Sequence, residues 1–492
     1  MAAPIALALY VPLLAVACVL VWRRPVVALY AFVVGLALHN AVMAALHSLG
    51  VLGAALTAIQ AWKEVLLAIA VASVAAGAWQ TRRLPFRPGP VDGLAFAFAA
   101  LVVAYVFIPQ AVLDGEADAS AVLYAARHAL LPVAAYFVGR SLTLRAGELR
   151  RLGWTILAAA ATVAAIGLVE EYTLSVERWR DAGVPAYFRD QLGFDYHGPG
   201  GMPENFAFNS SEGVFRRLVS TFISPLATGF MLIVALLLTA AGGPLRRRVA
   251  APLAALSAVG LLFTLSRSSM VALAGGCIVL AVATRRAWPL AVAAATVIVG
   301  VLFASVFTSI APRTHFLAED LPYQREQARI RGPLPDGEGV LDPTEPSLRS
   351  HASSLRADLE TVLRHPQGYG LGNAGAIARR NDVELKAGES NYTELGVEIG
   401  LAGMLLFAAW SLALVLALVR AARSAADPSV VWAAAGIAAA LSAVLALGIQ
   451  TDAFGVPWLA FCVWWLSGAV VSPGKLRVPT PALSRQARIE RA

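Results

Sequence analysis

Arginines recur beside the apolar segments of this chain, where their charge could stabilise an anionic ligand. Arg216 and Arg217 lead into one apolar run, Arg267 stands between two others, and Arg356 lies in a polar segment that precedes a fourth. Arginine stays charged and binds phosphate oxygens through two parallel N–H donors. Several guanidinium groups on one face of a membrane suit a phosphate or a pyrophosphate on a lipid. We therefore predict that these arginines bind such a group.

The sequence TLSRSS (264–269) joins two apolar runs through a very short connection. Arg267 must then lie at the membrane boundary, flanked by the hydroxyls of Ser266 and Ser268. We predict that the three side chains hold an anionic substrate group. The alternative is that Arg267 extends to the phosphates of the surrounding lipid.

A carboxylate, an amide and a phenol precede another apolar helix, in ESNYTELGVEIGLAG (389–403). Glu389 is a candidate for a chemical role at the mouth of this helix. Asn391 and Tyr392 are candidate substrate contacts beside it. The alternative for Glu389 is a capping carboxylate at the positive end of the helix.

Three more charged residues interrupt apolar runs. Lys63 and Glu64 are adjacent in a predicted helix, so we expect them to point apart and to need separate partners. Arg127, near the middle of a later run, is a candidate partner of Glu64 or a further phosphate ligand.

Other chemical signals are weak. The seven histidines show no metal-ligand spacing, and HPQGYGLGNAG (365–375) contains a GxGxxG match without the flanking strand of a dinucleotide fold. We interpret it as a tight turn at the membrane surface. LDGEADAS (113–120) could bind a divalent cation through its three acids, although a solvated loop explains them as well. The acids are Asp114, Glu116 and Asp118.

These residues must be positioned by membrane helices. The chain has 492 residues, of which 58% are hydrophobic and 14% charged, whereas a soluble domain carries about a quarter charged residues. We predict an all-α polytopic membrane protein. About thirteen apolar runs approach the length of a span, namely 2–22, 25–46, 61–80, 91–108, 120–138, 152–170, 221–241, 250–265, 268–284, 288–308, 394–419, 430–448 and 455–472.

Basic residues mark alternate short loops, and the positive-inside rule places those loops in the cytoplasm. Most of the net charge of +8 is then a topology signal, and nucleic-acid binding is not expected. The predicted organisation is spans 1 to 10 with an outer loop at about 171–219 (1–308), a large, mostly helical extracytoplasmic cap loop (309–393), spans 11 to 13 (394–472) and a basic cytoplasmic tail (473–492).

Within the cap loop, Ser353–Arg364 is predicted to be a helix ended by Pro366, with Arg356 and Glu360 paired at i,i+4. Gly332–Ser347 is rich in Gly, Pro and Asp and is predicted to be irregular. The three cysteines, which fall inside apolar runs, are predicted to be buried and unbridged.

Four stretches together resemble the O-antigen ligase/polymerase superfamily of bacterial membrane glycosyltransferases. They are RRLVSTFISPLATGF, FTLSRSSMVAL, SSLRADLETVLRHPQGYGLGNAG and ESNYTELGVEIGLAG, within about residues 210–410. Each motif alone is loose, but four in this order around one large loop are fairly specific.

The resemblance implies the reaction and the substrates. Members transfer a glycan from an undecaprenyl-pyrophosphate carrier to an acceptor sugar hydroxyl, at the outer face of the bacterial cytoplasmic (inner) membrane. The acceptor is a glycan or a lipid-linked chain, and no cofactor or metal is implied. Arg267 and Arg356 match the family's arginines and would stabilise charge on the departing pyrophosphate.

Glu389 departs from the ligase pattern. Counting back from Glu398 and Gly400, ligases carry a histidine at this position. In the reaction that the resemblance implies, Glu389 could act as the general base that takes the proton of the acceptor hydroxyl, if it lies within hydrogen-bond reach of that group. The departure favours a surface-polysaccharide polymerase over a ligase that uses lipid A core or another acceptor. A transporter or flippase of lipid-linked glycans, without chemistry, is the third hypothesis.

Overall fold

The computed structural model describes residues 2–210, 212–243, 245–331, 346–388 and 390–471. Most of them are helical. The helices are α1 (Ala2–Arg23), α2 (Val26–Ser48), α3 (Gly53–Gln60), α4 (Trp62–Thr81), α5 (Pro90–Val106), α6 (Ala119–Ser141), α7 (Ala146–Thr173), α8 (Val176–Asp181), α9 (Val184–Ala186), α10 (Pro225–Ala240), α11 (Arg247–Phe263), α12 (Arg267–Thr284), α13 (Trp288–Ile310), α14 (Leu321–Arg331), α15 (Pro346–Arg364), α16 (Gly375–Arg380), α17 (Asn391–Ser424), α18 (Pro428–Leu447) and α19 (Pro457–Val470).

Within the described part of the chain, nine helices are long and apolar enough to cross a membrane: α1, α2, α4, α6, α7, α12, α13, α17 and α18. Three shorter apolar helices, α5, α10 and α19, accompany them. The chain is thus a multi-pass, mostly α-helical membrane protein. Each predicted apolar run coincides with a helix. The count of thirteen crossings and the side of the membrane on which each loop lies stay predictions. The predicted cytoplasmic tail lies outside the described residues.

The helices at the centre of the bundle pack closely through small residues. A Cβ atom at Gly139 of α6 would lie 2.1 Å from the Trp465 carbonyl oxygen of α19, and one at Gly468 would lie 2.1 Å from the Tyr136 carbonyl oxygen. Glycine at both positions therefore permits the contact between α6 and α19, as is typical of membrane helices. Beside it, the fully buried Trp464 stacks on Trp410 with the ring centroids 4.6 Å apart.

A small antiparallel sheet, which the sequence did not predict, connects two polar segments. Strands β1 (Ala207–Ser210) and β2 (Gly213–Arg216) form a hairpin, and β3 (Arg313–Thr314) pairs with β2. In addition, the backbone N–H of Arg216 donates to the Pro312 carbonyl oxygen at 2.8 Å. The predicted outer segments 171–219 and 309–393 are thus hydrogen-bonded to each other.

Helix α17 is broken near its start, because Ile399 and Gly400 are not helical. Gly400 has φ +75°, and a Cβ atom there would lie 2.6 Å from the Pro366 carbonyl oxygen. The turn that follows α15 docks into this break: Leu401 N–H donates to the Pro366 carbonyl at 2.8 Å, and Tyr369 N–H donates to the Val397 carbonyl at 2.6 Å.

The glycine-rich segment 365–375 is this docked turn. Its four glycines all have positive φ, a conformation that other residues rarely adopt, and a helix precedes the segment. The predicted tight turn is confirmed, as are the predicted end of α15 and the pair of Arg356 with Glu360. The predicted irregular stretch Gly332–Ser347 falls mainly outside the described residues, and the three cysteines are free thiols.

Candidate functional site

Arg217 connects two of the arginine-bearing segments. It follows β2, and its Nε donates a hydrogen bond of 2.9 Å to the Thr264 carbonyl oxygen, while Nη2 lies 3.5 Å from the Leu265 carbonyl oxygen. Both carbonyls belong to the short connection between α11 and α12, and the Arg217 side chain is half-buried. The structure therefore brings Arg217 to the turn that carries Arg267.

The start of α12 combines a helix N-terminus with a guanidinium group. Leu265 adopts a left-handed conformation with φ +46°, and Arg267 is the first helical residue. The Ser266 hydroxyl caps the helix: it accepts from the Ser269 N–H at 3.3 Å, donates to the Ser269 hydroxyl at 2.7 Å and lies 3.3 Å from that of Ser268. A helix N-terminus favours anions, so Arg267 and α12 present positive charge at one place.

Arg216 has a different environment from its neighbour. It is 2% exposed, forms an ion pair with Glu170 of α7, and donates to the Leu174 carbonyl oxygen. Its guanidinium carbon also lies 4.5 Å from the centroid of the Phe206 ring. These partners favour a structural role for Arg216, which holds the hairpin against α7, over the predicted contact with substrate.

Arg127 belongs to a second charged cluster. Its Nη1 lies 3.4 Å from a carboxylate oxygen of Glu64, as predicted. The expectation that Lys63 and Glu64 point apart is wrong: Lys63 Nζ lies 3.4 Å from Glu64 and donates to the Gln60 carbonyl oxygen at 2.7 Å. Both residues stand in the first turn of α4, where a long side chain can reach back to the preceding connection. The Arg127 side chain remains 49% exposed.

Arg380, which the sequence analysis overlooked, lies beside Arg127. The guanidinium carbons of Arg380 and Arg127 lie 5.3 and 5.4 Å from the centroid of the same ring, that of Tyr124. Arg380 is exposed at the end of the short helix α16, and its Nη2 lies 3.4 Å from the Gln191 carbonyl oxygen. The available signal was an arginine pair, Arg379 and Arg380, in a segment predicted to be outside, which the positive-inside rule does not explain.

Arg356 projects from the exposed face of α15. Its side chain is 84% exposed and lies 3.3 Å from Glu360. The opposite face of α15 packs on the first turns of α17, where the Asp358 carboxylate accepts from the Thr393 hydroxyl at 3.1 Å and Val362 is fully buried. A ligand therefore meets Arg356 from the solvent side.

Glu389 lies outside the described residues, but the residues that follow it are described and buried. Asn391 Nδ2 donates to the Asp452 carboxylate at 2.6 Å, and its carbonyl oxygen accepts from the Phe454 N–H at 3.2 Å. The Tyr392 hydroxyl donates to the Leu445 carbonyl oxygen at 3.2 Å. These contacts attach α17 to the last turn of α18 and to the connection between α18 and α19. They favour a structural role for Asn391 and Tyr392 over the predicted substrate contacts.

Two of the three acids of the segment 113–120 have protein partners. The Asp118 carboxylate caps α6, and hydrogen bonds from the Ala121 N–H and the Ser120 hydroxyl hold its pKa below the usual value. Glu116 lies 3.8 Å from Lys386 Nζ. Among the described residues, no group of three or more His, Cys, Asp or Glu side chains is arranged to hold a metal ion.

A family model described as O-antigen ligase matches residues 252–408. This match supports the resemblance of residues 252–408 to the O-antigen ligase/polymerase superfamily. The matched region contains the turn with Arg267, helix α15, the glycine-rich turn and the broken start of α17. No curated protein matches the chain.

The family match supports a function for the helical bundle in coarse terms. The chain is a multi-pass membrane protein, and the matched family supports a ligase- or polymerase-like function in surface-polysaccharide synthesis, which implies lipid-linked glycan substrates. Arg216, Arg217 and Arg127 precede the matched region, so their parts in a substrate site rest on the contacts described above.

Proposed function

We propose that this protein is a metal-independent, inverting glycosyltransferase that moves a glycan from a polyprenyl-pyrophosphate carrier to an acceptor sugar hydroxyl at the outer face of the bacterial cytoplasmic membrane. The contact of Arg217 with the turn that presents Arg267 is the observation that carries the proposal. Two arginines from separate segments and the N-terminus of α12 supply the positive charge that a pyrophosphate leaving group needs.

The reaction is a single displacement. The acceptor hydroxyl oxygen attacks the anomeric carbon and forms the new glycosidic bond, while the bond from that carbon to the phosphate oxygen breaks. The pyrophosphate leaves with the electron pair, and Arg267, Arg217 and Arg356 stabilise its charge. The proton of the acceptor hydroxyl passes to the carboxylate of Glu389, which acts as general base.

The second cluster contributes a further contact to the donor. Arg127 is half-exposed and shares the Tyr124 ring with Arg380, so two guanidinium groups can meet one anionic ligand. The Glu64 carboxylate holds Arg127 without burying it. The Ser266 hydroxyl caps α12, and the Ser268 hydroxyl lies 3.3 Å from it, so we assign both serines to shaping the turn. Of the two, Ser268 is the better candidate for a contact with phosphate.

The test is reconstitution of the full chain in vesicles with a polyprenyl-pyrophosphate oligosaccharide, followed by separation of the products by length. We expect Arg217→Gln and Arg267→Gln each to lower turnover strongly. Arg189→Gln is the matched control, because Arg189 is an exposed arginine paired with its own neighbour, Asp190. Turnover at the wild-type rate in both site variants would reject the assignment.

The same assay separates the two enzymatic alternatives. A ladder of lengthening glycans identifies a polymerase, which the carboxylate at position 389 favours. A single transfer to an added acceptor such as a lipid A core identifies a ligase, which the description of the matched family favours. A third result, movement of intact donor across the bilayer without a new glycosidic bond, identifies a transporter.

A further inference from the structure

Two lateral grooves of the helix bundle have the same features: mostly apolar walls, two arginines and a tryptophan. The first lies between α4 and α6 and has a volume of about 920 Å³, and its walls are mostly apolar. Arg82 and Arg83, both exposed, line it where α4 ends, and Trp79, which is 86% exposed, stands beside them. Grooves of this size between helices are large enough to hold a lipid-sized ligand.

The second groove lies between α11 and α13 and has a volume of about 690 Å³. Arg247 at the start of α11 and Arg286 just before α13 line one end of it, and Trp288, 42% exposed, lies beside them. Alanines of α11 form most of one wall. Within the part of the chain that the structure describes, none of the four groove arginines forms an ion pair.

We propose that each groove binds an anionic phospholipid, with the acyl chains in the groove and the phosphate against its arginine pair. Charge complementarity selects this occupant, because an apolar groove with two uncompensated guanidinium groups at one end matches the two parts of such a lipid. Tryptophan at the same end is typical of the level of the lipid headgroups. The proposal does not depend on the glycosyltransferase reaction.

The first groove is held in shape by a buried network. Arg140 of α6 pairs with Asp92 at 2.7 Å, donates to the Arg87 carbonyl oxygen at 3.0 Å, and stacks over Phe86 with its guanidinium carbon 4.8 Å from the ring centroid. Phe86 in turn stacks on Phe137 in the groove wall. These contacts fix the α4–α5 connection that carries the arginine pair, so the groove exists before a lipid enters it.

A polyprenyl pyrophosphate is a poorer occupant of the first groove. The cluster of Lys63 and Arg127 that could hold its phosphates involves the first turn of α4, whereas Arg82 and Arg83 follow the last turn. A helix of this length separates its ends by roughly 30 Å. A donor bound at this second charged cluster would leave the arginine pair without a phosphate.

The test measures lipid retained by the purified full chain, using native mass spectrometry from a neutral detergent. Phosphatidylglycerol and phosphatidylcholine of the same acyl chains are offered separately. We expect the wild type to retain phosphatidylglycerol in preference, and Arg82→Gln/Arg83→Gln or Arg247→Gln/Arg286→Gln each to weaken that retention about tenfold or more at one site.

The matched control is Arg87→Gln/Arg248→Gln, which removes two arginines next to the grooves that line neither of them. We expect this control to retain lipid like the wild type. Equal retention of the two lipids by the wild type, or an equal loss in the control, would overturn the proposal.

Two further measurements keep the test decisive. Ala78→Trp and Ala254→Trp fill the first and second groove while keeping every arginine, so each should lower retention of phosphatidylglycerol even if an arginine variant fails to fold. Unchanged retention in both would reject the grooves as the binding sites. Displacement of phosphatidylglycerol by a polyprenyl phosphate at equal concentration would also reject the phospholipid assignment.

Discussion

The contact between Arg217 and the α11–α12 turn predicts that Arg217 and Arg267 act as one unit. Arg217 donates to the carbonyls of Thr264 and Leu265, and Arg267 begins the helix two residues later. If Arg217 works by holding this turn, its removal should displace Arg267 as well. The informative perturbation is therefore the set Arg217→Ala, Arg267→Ala and the double variant.

The size of the effect follows from the burial of the turn. Thr264 is fully buried and Leu265 is 6% exposed, and a buried carbonyl that loses its donor costs about 1–3 kcal/mol. The left-handed conformation of Leu265 adds strain of roughly 1–2 kcal/mol. When Arg217 is removed, both costs therefore favour a different conformation of the turn, with less strain at Leu265. Loss of one preorganised donor to a developing negative charge lowers kcat by about 10²–10³, which we expect for each single variant.

The assay is the reconstituted transfer reaction with glycan products separated by length. Because the two arginines act through one turn, the double variant should be little worse than the worse single variant. The coupling energy should then be close to the smaller single loss, about 3–4 kcal/mol. Arg217→Ala combined with Arg356→Ala is the comparison, since Arg356 is carried by α15 and should give additive losses. Additive losses for Arg217 and Arg267 would refute the reasoning.

The remaining predictions concern the docked turn, the base, metal dependence and the buried ion pair. Gly400→Ala should lower the free energy of unfolding by about 1–3 kcal/mol, measured by thermal unfolding in detergent. Gly77→Ala should not lower it, because a Cβ atom at Gly77 would have no neighbour within 4 Å. Glu389→Gln should reduce turnover but not the unfolding temperature, and partial activity in Glu389→His would support a shared base role. Chelation with EDTA should leave turnover unchanged; its loss would point to the metal-dependent alternative. Arg216→Gln should destabilise the fold by about 3–5 kcal/mol, because it leaves Glu170 buried without its partner; an unchanged unfolding temperature would contradict this.

The sequence predicted the elements that depend on local information. Apolar runs located the helices to within a few residues, as in the predicted span 268–284 and helix α12 (Arg267–Thr284). Pro366 marked the end of α15, and the glycines of segment 365–375 indicated a tight turn, because both residue types constrain the backbone at their own positions.

Long-range contacts were the part that the sequence could not provide. The bond from Arg217 to the Thr264 carbonyl joins residues 47 positions apart and involves no side chain of the turn, so no residue type at 264 reveals it. Arg380 reaches Tyr124 because the glycine-rich turn docks into the break of α17 and thereby positions α16. Neither contact follows from periodicity or from composition.

The contrast between Arg216 and Arg217 shows how a short strand divides roles between neighbouring residues. Successive side chains of an extended strand point to opposite faces. Arg216, at the end of β2, therefore contacts the buried Glu170, whereas Arg217 contacts the connection between α11 and α12. The sequence alone does not distinguish the two arginines, because its pattern predicts no strand there. In the hairpin, Arg216 stabilises the packing against α7, and Arg217 stabilises the turn that presents Arg267. A variant at either position therefore needs both a stability and a turnover measurement before its role is assigned.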